Sequence, residues 1–375
     1  MSKGMLKHPI FIGSEIYRGS SYGGLHPLRV PRVSTVMDLT RVLGWLPDVQ
    51  YRTSPRAKPK ALWEFHTPAY ISALARAERR GQVSDEERAE FDLGTHSNTV
   101  FGEMFRRPAT GVGGVMLAAE LLSDGGIVHV PGGGAHHGMP DRANGFCYLN
   151  DPVFAIKALQ HHGAWHVVYV DIDAHHPDGV EVGFSGDPSV RMISVHEEKR
   201  WPFTGCLDET GKGSAFNLPV MRGFNDSEMR IALQDLIIPL IEDFEPDAIV
   251  LQCGSDAIEE DPLSRLSLSN NAHIEVVRAL MALTNRLMVL GGGGYNPWSV
   301  GRCWTRIWGA LNGLEAPEML NVENAQILRA LRFEGNSRGR NPPEHWFSTL
   351  ADEPNEGPVR DEIRARIGML RARLI

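Results

Sequence analysis

Short apolar runs recur along the chain at 126–130, 167–170, 190–195, 248–252 and 286–290. Their length and apolar continuity predict buried strands. The segments 151–161, 226–244 and 272–284 carry apolar residues at helical spacing, which predicts helices between several of those strands. Strand–helix alternation of this kind argues for a central parallel sheet with helices on both faces, an α/β fold. The polar residues then show a pattern of their own. P-G-G-G-A-H-H follows the first run, D-I-D-A-H-H the second, G-S-D the fourth and G-G-G-G-Y the fifth. In open α/β sheets ligands sit beyond the carboxyl ends of the strands, so the clusters are expected to converge on one edge. The tail, 359–374, alternates Arg and Glu with Ile, Met and Leu and predicts an amphipathic helix packed on the domain.

With 375 residues, 42% of them hydrophobic, the chain can bury a large core. No Pro/Gly/Ser-rich linker divides it, so a single domain over 1–375 is expected, its chemical motifs within 10–311 and a helical extension over about 314–375. The formal net charge of −8 lacks the basic footprint of a nucleic-acid binder. Cys147, Cys206, Cys253 and Cys303 form no C-x-x-C pair, which suggests neither a disulfide framework nor a thiolate zinc site. The start, M-S-K-G-M-L-K-H-P, has no hydrophobic signal core, and no apolar run approaches the roughly 18 residues that span a bilayer. A cytoplasmic protein without a membrane partner is the expectation.

The stretch V-D-I-D-A-H-H-P-D-G, 170–179, sets three carboxylates and two imidazoles where a strand should emerge. Alternation along an extended segment puts Asp171, Asp173 and His175 on one face. Two of them suit a borderline divalent metal, and the remaining one can brace a neighbour. Zinc held for hydrolysis usually has three protein ligands and an open position. With Asp173 and His175 as two, Asp256 in Q-C-G-S-D is the candidate third. An Asp just after a buried strand also serves as a helix cap, but the companion clusters favour a ligand. His136 and His137 can act as base and acid, and Asp171 and Asp178 remain to fix their tautomers. A dinucleotide loop fails on spacing, because G-x-G-x-x-G begun at Gly132 needs glycine where His137 stands. Tyr295, directly after the four glycines of 291–294, can offer a phenol to a developing oxyanion or can simply pack behind a glycine turn.

In this order, G-G-G-A-H-H, N-G-F-C-Y-L-N-D, V-D-I-D-A-H-H-P-D-G-V, Q-C-G-S-D-x-x-x-x-D-P-L and G-G-G-G-Y-N-P with R-C-W-T resemble the zinc-dependent histone deacetylase superfamily, in its class I and bacterial acetoin-utilisation flavour. The resemblance runs from about Ile10 to Leu311. It implies the arginase/deacetylase α/β fold, a metal at the foot of a narrow tunnel, and cleavage of an acetyl group from an amine. By position it implies one Zn2+ on Asp173, His175 and Asp256, paired histidines at His136 and His137 with partners Asp171 and Asp178, and a transition-state tyrosine at Tyr295. Gly145 and Phe146 fall on one tunnel wall. The opposite wall falls on Trp201 or Phe203, since W-P-F-T-G stands where the family has phenylalanine before P-G-T-G. Leu263 matches the apolar rim, Gly293 the carbonyl near the substrate amide, and Arg32 the arginine of the internal acetate channel. A structural K+ site would use backbone oxygens of Asp171, Asp173 and His175 with Ser194, and a second would lie near Phe184, Asp187 and Val190.

Pro177 departs from the family's glycine in H-H-G-D-G. Because proline fixes φ and removes an N–H, the angle at which Asp178 reaches His137 is expected to differ. A two-manganese ureohydrolase on the same fold is a rival, but it needs a D-x-D pair and Gly254 lies two residues before Asp256. A non-catalytic binder of acetylated ligands is another, although it would not require the proton-transfer set. Among deacetylase substrates, acetyl-lysine side chains of proteins are expected. Small acylated amines such as acetylpolyamines are the alternative, which an acidic gatekeeper at the rim would recognise; Leu263 occupies that position. The acidic loop 84–90 lies where the family places a rim carboxylate, or is a charged helix start. Oligomeric state is not set by these residues.

Overall fold

The computed structural model describes residues 5–374 apart from Ser21, Leu25 and 335–338. Its strands are β1 (Ile10–Gly13), β2 (Tyr51–Thr53), β3 (Gly126–Val130), β4 (Val167–Asp171), β5 (Val190–Glu197), β6 (Ala215–Val220), β7 (Ala248–Gln252) and β8 (Arg286–Leu290). They form one all-parallel sheet in the order β2-β1-β3-β8-β7-β4-β5-β6. The runs expected at 126–130, 248–252 and 286–290 coincide with β3, β7 and β8, while β4 and β5 continue to Asp171 and Glu197. Three strands escape the hydrophobic pattern. β1 and β2 are too short to show a period, and Pro219 interrupts β6. Proline is tolerated there because β6 is an edge strand whose outer side makes no ladder.

Alternate residues of the central strands feed two apolar layers. Val168, Val170, Ile249, Leu251, Leu287 and Val289 face one side, together with Trp304 and Trp308 of helix Pro297–Leu311. Val167, Tyr169, Ala248, Val250, Met288 and Leu290 face the other, with Val112 and Val115 of helix Arg106–Leu121 and Ile156 of helix Asp151–His161. Strands buried on both faces read as continuous apolar runs, which is why they were visible in the sequence. The segment 226–244 is helical throughout, with a widened π turn at Leu233–Ile237 just before Pro239, a residue that cannot donate to the preceding turn. The expected tail helix is Asp361–Arg371, and its Ile363, Ile367 and Leu370 join the first layer. Among the described residues no helix is long and apolar enough to cross a membrane.

The register places the chemistry. Val130 pairs with Leu290, Leu290 with Gln252, and Gln252 with Asp171. The four adjacent strands β3, β8, β7 and β4 therefore end in one row, and each is followed by one of the four polar clusters.

Candidate active site

β4 stops at Asp171, so Asp173 and His175 do not share a face by strand alternation as expected. They sit instead in a loop of carboxylate-held turns, in which Asp173 N–H donates to Asp171 Oδ1 at 3.0 Å and His175 N–H to Asp173 Oδ1 at 3.0 Å. Asp256 arrives from β7 in the short turn Ser255–Ala257, and its Oδ1 accepts the Ala174 N–H at 3.0 Å. Asp173, His175 and Asp256 are all buried, and one ligand atom from each lies within 4.8 Å of the others. Gln252 Nε2 and Gly293 N–H both donate to Asp173 Oδ2, at 2.8 and 2.7 Å. A Cβ at Gly254 would fall 2.0 Å from that same oxygen, so residue 254 can hold neither a second carboxylate nor any other side chain.

The electrostatics of this group are those of a cation site. Burial opposes ionisation of Asp256, and the neighbouring Asp173 charge raises its pKa further. Burial would lower His175, but its hydrogen bonds to Asp173 and Asp256 push it up to about 10. Two carboxylate oxygens and one imidazole nitrogen, buried and convergent, are a donor set that suits a divalent metal such as zinc.

Beside them stand the paired histidines. His136 Nδ1 lies 2.8 Å from Asp171 Oδ2, which also accepts the Tyr169 hydroxyl at 2.5 Å. His137 Nδ1 lies 2.7 Å from Asp178 Oδ1, whose other oxygen accepts Asn144 Nδ2 at 2.9 Å. Pro177 caps helix Asp178–Phe184 and leaves Asp178 within reach of His137. The two rings face each other through Nε2 atoms 2.9 Å apart. Burial would lower both, but Asp171 and Asp173 lift His136 to about 9, whereas burial and the neighbouring His136 hold His137 down to about 4. One proton between two Nε2 atoms is the arrangement these opposite shifts describe.

A mouth leads from solvent to this group, lined by His137, Gly145, Phe146, His175, Trp201, Phe203, Leu263 and Tyr295. Trp201 crosses His137 with ring centroids 4.5 Å apart, and a Cβ on Gly145 would meet the Trp201 ring. Phe203 is 70% exposed against 37% for Trp201, so Trp201 forms the inner wall and Phe203 the outer lip. Phe146 meets Tyr295 edge-on at 5.9 Å. The acidic segment 84–90 does not line the mouth. It begins helix Asp85–Phe91 with a capping box, and its Glu87 pairs with Arg76 and Arg80. Lys199, Arg200, Arg265 and Ser97 are there instead, and no carboxylate is among the lining residues.

Gly293 adjoins the site, but its carbonyl accepts the Ser255 N–H at 2.9 Å, so one lone pair is already committed. Arg32 lines a second, inner cavity and donates from Nη1 to the Gly292 carbonyl at 2.7 Å. Of the expected K+ positions, Asp171 pairs with Ser194 across β4 and β5, next to the loop that carries Asp173 and His175. At the other, the Phe184 carbonyl takes the Asp187 N–H at 3.0 Å and the Ser214 hydroxyl at 2.9 Å, and the Asp187 carbonyl takes the Val190 N–H at 3.3 Å.

Asp261 is a positioning residue that sequence reasoning passed over. It is wholly buried and accepts the Tyr295 N–H at 2.7 Å through one oxygen and the Leu263 N–H at 2.9 Å through the other. Burial and the nearby Asp256 push it up to about 8. Its only local mark in the sequence is the D-P of D-P-L, which names no role by itself.

A parallel α/β sheet whose aligned strand ends hold a buried Asp-His-Asp group beside carboxylate-braced histidines defines a hydrolase of the deacetylase fold. The histone deacetylase domain model matches residues 26–311. The acetoin utilization protein AcuC of Bacillus subtilis (strain 168) is 34% identical over 324 residues, covering 83% of this chain and 84% of AcuC. Histone deacetylase 9 of Arabidopsis thaliana is 35% identical over 310 residues, covering 80% of this chain and 72% of that protein. The crystal structure of an HDAC homolog from Aquifex aeolicus superposes with a TM-score of 0.92 at 34% identity, covering 97% of this chain and 100% of that one. An HDAC homolog complexed with SAHA gives the same figures. The chain belongs to the histone deacetylase family.

Proposed function

We propose that the chain is a single-domain, zinc-dependent deacetylase that hydrolyses the N-acetyl amide of lysine side chains in proteins. The observation that carries this reading is the buried Asp173–His175–Asp256 group set against His136, His137 and Tyr295 at the foot of an aromatic-walled mouth. One zinc ion held by those three side chains would supply Lewis acidity toward water and the amide carbonyl. Asp171 and Asp178 fix each imidazole through Nδ1, which leaves the Nε2 atoms to carry protons. His137 Nε2, kept unprotonated by burial and the neighbouring His136 and lying next to the mouth, is the atom that accepts a proton from the attacking water and returns one to the leaving amine. Tyr295, whose phenol burial keeps protonated, donates a hydrogen bond to the oxygen on which charge develops. Phe146 and Trp201 flank the aliphatic stem and exclude water. Structural K+ near Asp171 and Ser194 belongs to the same reading.

The mouth also supports lysine over polyamine. Lys199, Arg200 and Arg265 stand beside Leu263; Lys199 and Arg200 are paired with Glu198 and Glu197, and no carboxylate is among the lining residues, so a distal ammonium brought there meets no free partner. The ureohydrolase alternative is disfavoured by the lack of room at Gly254 for a second metal-bridging carboxylate. The test is kcat/KM of the zinc-loaded enzyme on an acetyl-lysine peptide against acetylputrescine and acetylspermidine. The peptide should win by more than about tenfold, and a polyamine preference of that size contradicts the assignment.

A further inference from the structure

Adjoining the candidate site, and sharing His137, Gly145, Phe146 and Tyr295 with the mouth, lies a cavity of about 70 Å³. At roughly 10–15 Å³ for each water centre, it has room for several heavy atoms. Asp173, His136 and Tyr295 border its site end, and Tyr17, Tyr22, Arg32 and Arg107 surround its interior. An amide whose nitrogen points to the mouth directs its acyl chain here.

The interior is built around two guanidinium groups. Arg107 projects from the first turn of helix Arg106–Leu121, buried, and its guanidinium carbon lies 5.2 Å from the ring centroids of both Tyr17 and Tyr22. An Nη1 bond, 3.1 Å to the Ser20 carbonyl, and a side-chain hydrogen bond to Tyr22 anchor it. Arg32 spends Nη1 on the Gly292 carbonyl, while its buried Nε has no acceptor among the described residues. Neither arginine has a carboxylate within ion-pair distance among those residues. Of the two acids lining the cavity, Asp173 belongs to the candidate metal group at its site end, and Asp151 already accepts the Gly134 and Ala135 N–H groups at 2.6 and 3.1 Å. Two like charges thus face a small space with donors to spare. Burial and the opposing Arg107 both lower Arg32 from its ordinary pKa.

Resting on the amide-hydrolase reading above, we propose that this cavity is an acyl-chain subsite for acyl groups that end in a carboxylate, such as succinyl, and that Arg107 determines that specificity. A carboxylate there accepts charge-assisted hydrogen bonds from planar donors and relieves the repulsion between the arginines. A neutral chain of the same shape does neither. The reaction balances without a co-reactant. The amide C–N bond of succinyl-lysine breaks, the water oxygen bonds to the acyl carbon, and the products are succinate and the lysine ammonium.

The experiment compares kcat/KM for succinyl-lysine and its neutral isostere isocaproyl-lysine in one peptide sequence, using the zinc-loaded protein and its Arg107→Met and Arg107→Lys variants. The wild type should favour succinyl by about ten- to a hundredfold, the factor one charge-assisted hydrogen bond carries. Arg107→Met should remove most of that preference and Arg107→Lys should keep part of it. Competitive inhibition by succinate against isocaproate should follow the same order. Equal or better hydrolysis of isocaproyl-lysine by the wild type, or an unchanged ratio in Arg107→Met, overturns the proposal. Should Arg107→Met fail to fold, the wild-type ratio and Arg107→Lys still decide. Acetyl-lysine hydrolysis without succinyl preference sinks this inference alone, whereas zinc-loaded protein inert on every acyl-lysine sinks the deacetylase reading.

Discussion

The chain contains two His-His dipeptides beyond strand ends, and they have different fates. In His136-His137 each Nδ1 is held by a buried carboxylate, so both Nε2 atoms point into the site and meet at 2.9 Å. In His175-His176 the first ring joins Asp173 and Asp256, but the second turns away. His176 spends one nitrogen on the Thr204 hydroxyl at 2.9 Å and the other on Glu181 at 3.0 Å, beside the His196 ring. Both pairs are buried and both have carboxylate neighbours. What separates the two pairs is what the second ring nitrogen meets: the other imidazole at the site for His136 and His137, a carboxylate away from it for His176.

This contrast can be broken by mutation. His137→Ala should lower turnover by about two to four orders of magnitude while zinc content, measured on the purified protein, stays unchanged. A comparable loss in His176→Ala would erase the distinction. That variant should instead cost stability, about 1–3 kcal/mol for leaving Glu181 without its imidazole partner, read from denaturant unfolding, with turnover little changed. The smallest effect sharpens the contrast with histidines that serve neither role. His66, held between the Met139 carbonyl and the Asn150 N–H, and His129 on β3 are both pushed down to about 4 by burial. Unfolded histidine titrates near 6.5, so below that pH the unfolded state binds more protons. Stability is therefore full above about 6.5 and falls as pH drops toward about 4, by up to about 1.4 kcal/mol per pH unit for each residue. His129→Leu should flatten the acid limb of the unfolding midpoint against pH, and an unchanged limb would mean that His129 is not kept neutral in the fold.

The legible parts of the sequence were those whose signal is local. β3, β4, β5, β7 and β8 are buried on both faces and read as apolar runs, and the motifs that follow β3, β4, β7 and β8 mark the site. Aspects set by tertiary approach were hidden. Nothing in the sequence neighbourhood of Asp261 says that its two oxygens tie Leu263 to Tyr295, and Gln252 reads as the last residue of a strand although it orients Asp173. The segment 84–90 left two readings open, a rim carboxylate or a charged helix start, and the structure has the helix start. Its acidic composition is obvious, but its chemistry is spent on capping a helix and pairing with Arg76 and Arg80. The basic lip of Lys199, Arg200 and Arg265 comes from two distant loops that only the fold brings together.

Amide hydrolysis at this row of strand ends, under the proposed function, depends on stabilisation delivered by Tyr295. The measurement that tests it most directly is turnover of an acetyl-lysine peptide by zinc-loaded wild type and Tyr295→Phe, with zinc content and KM determined for both. The account predicts that Tyr295→Phe keeps its zinc and a similar KM but loses about two to four orders of magnitude in kcat, because the phenol acts on charge present only in the transition state. A Tyr295→Phe enzyme that turns over the peptide at near the wild-type rate would contradict it.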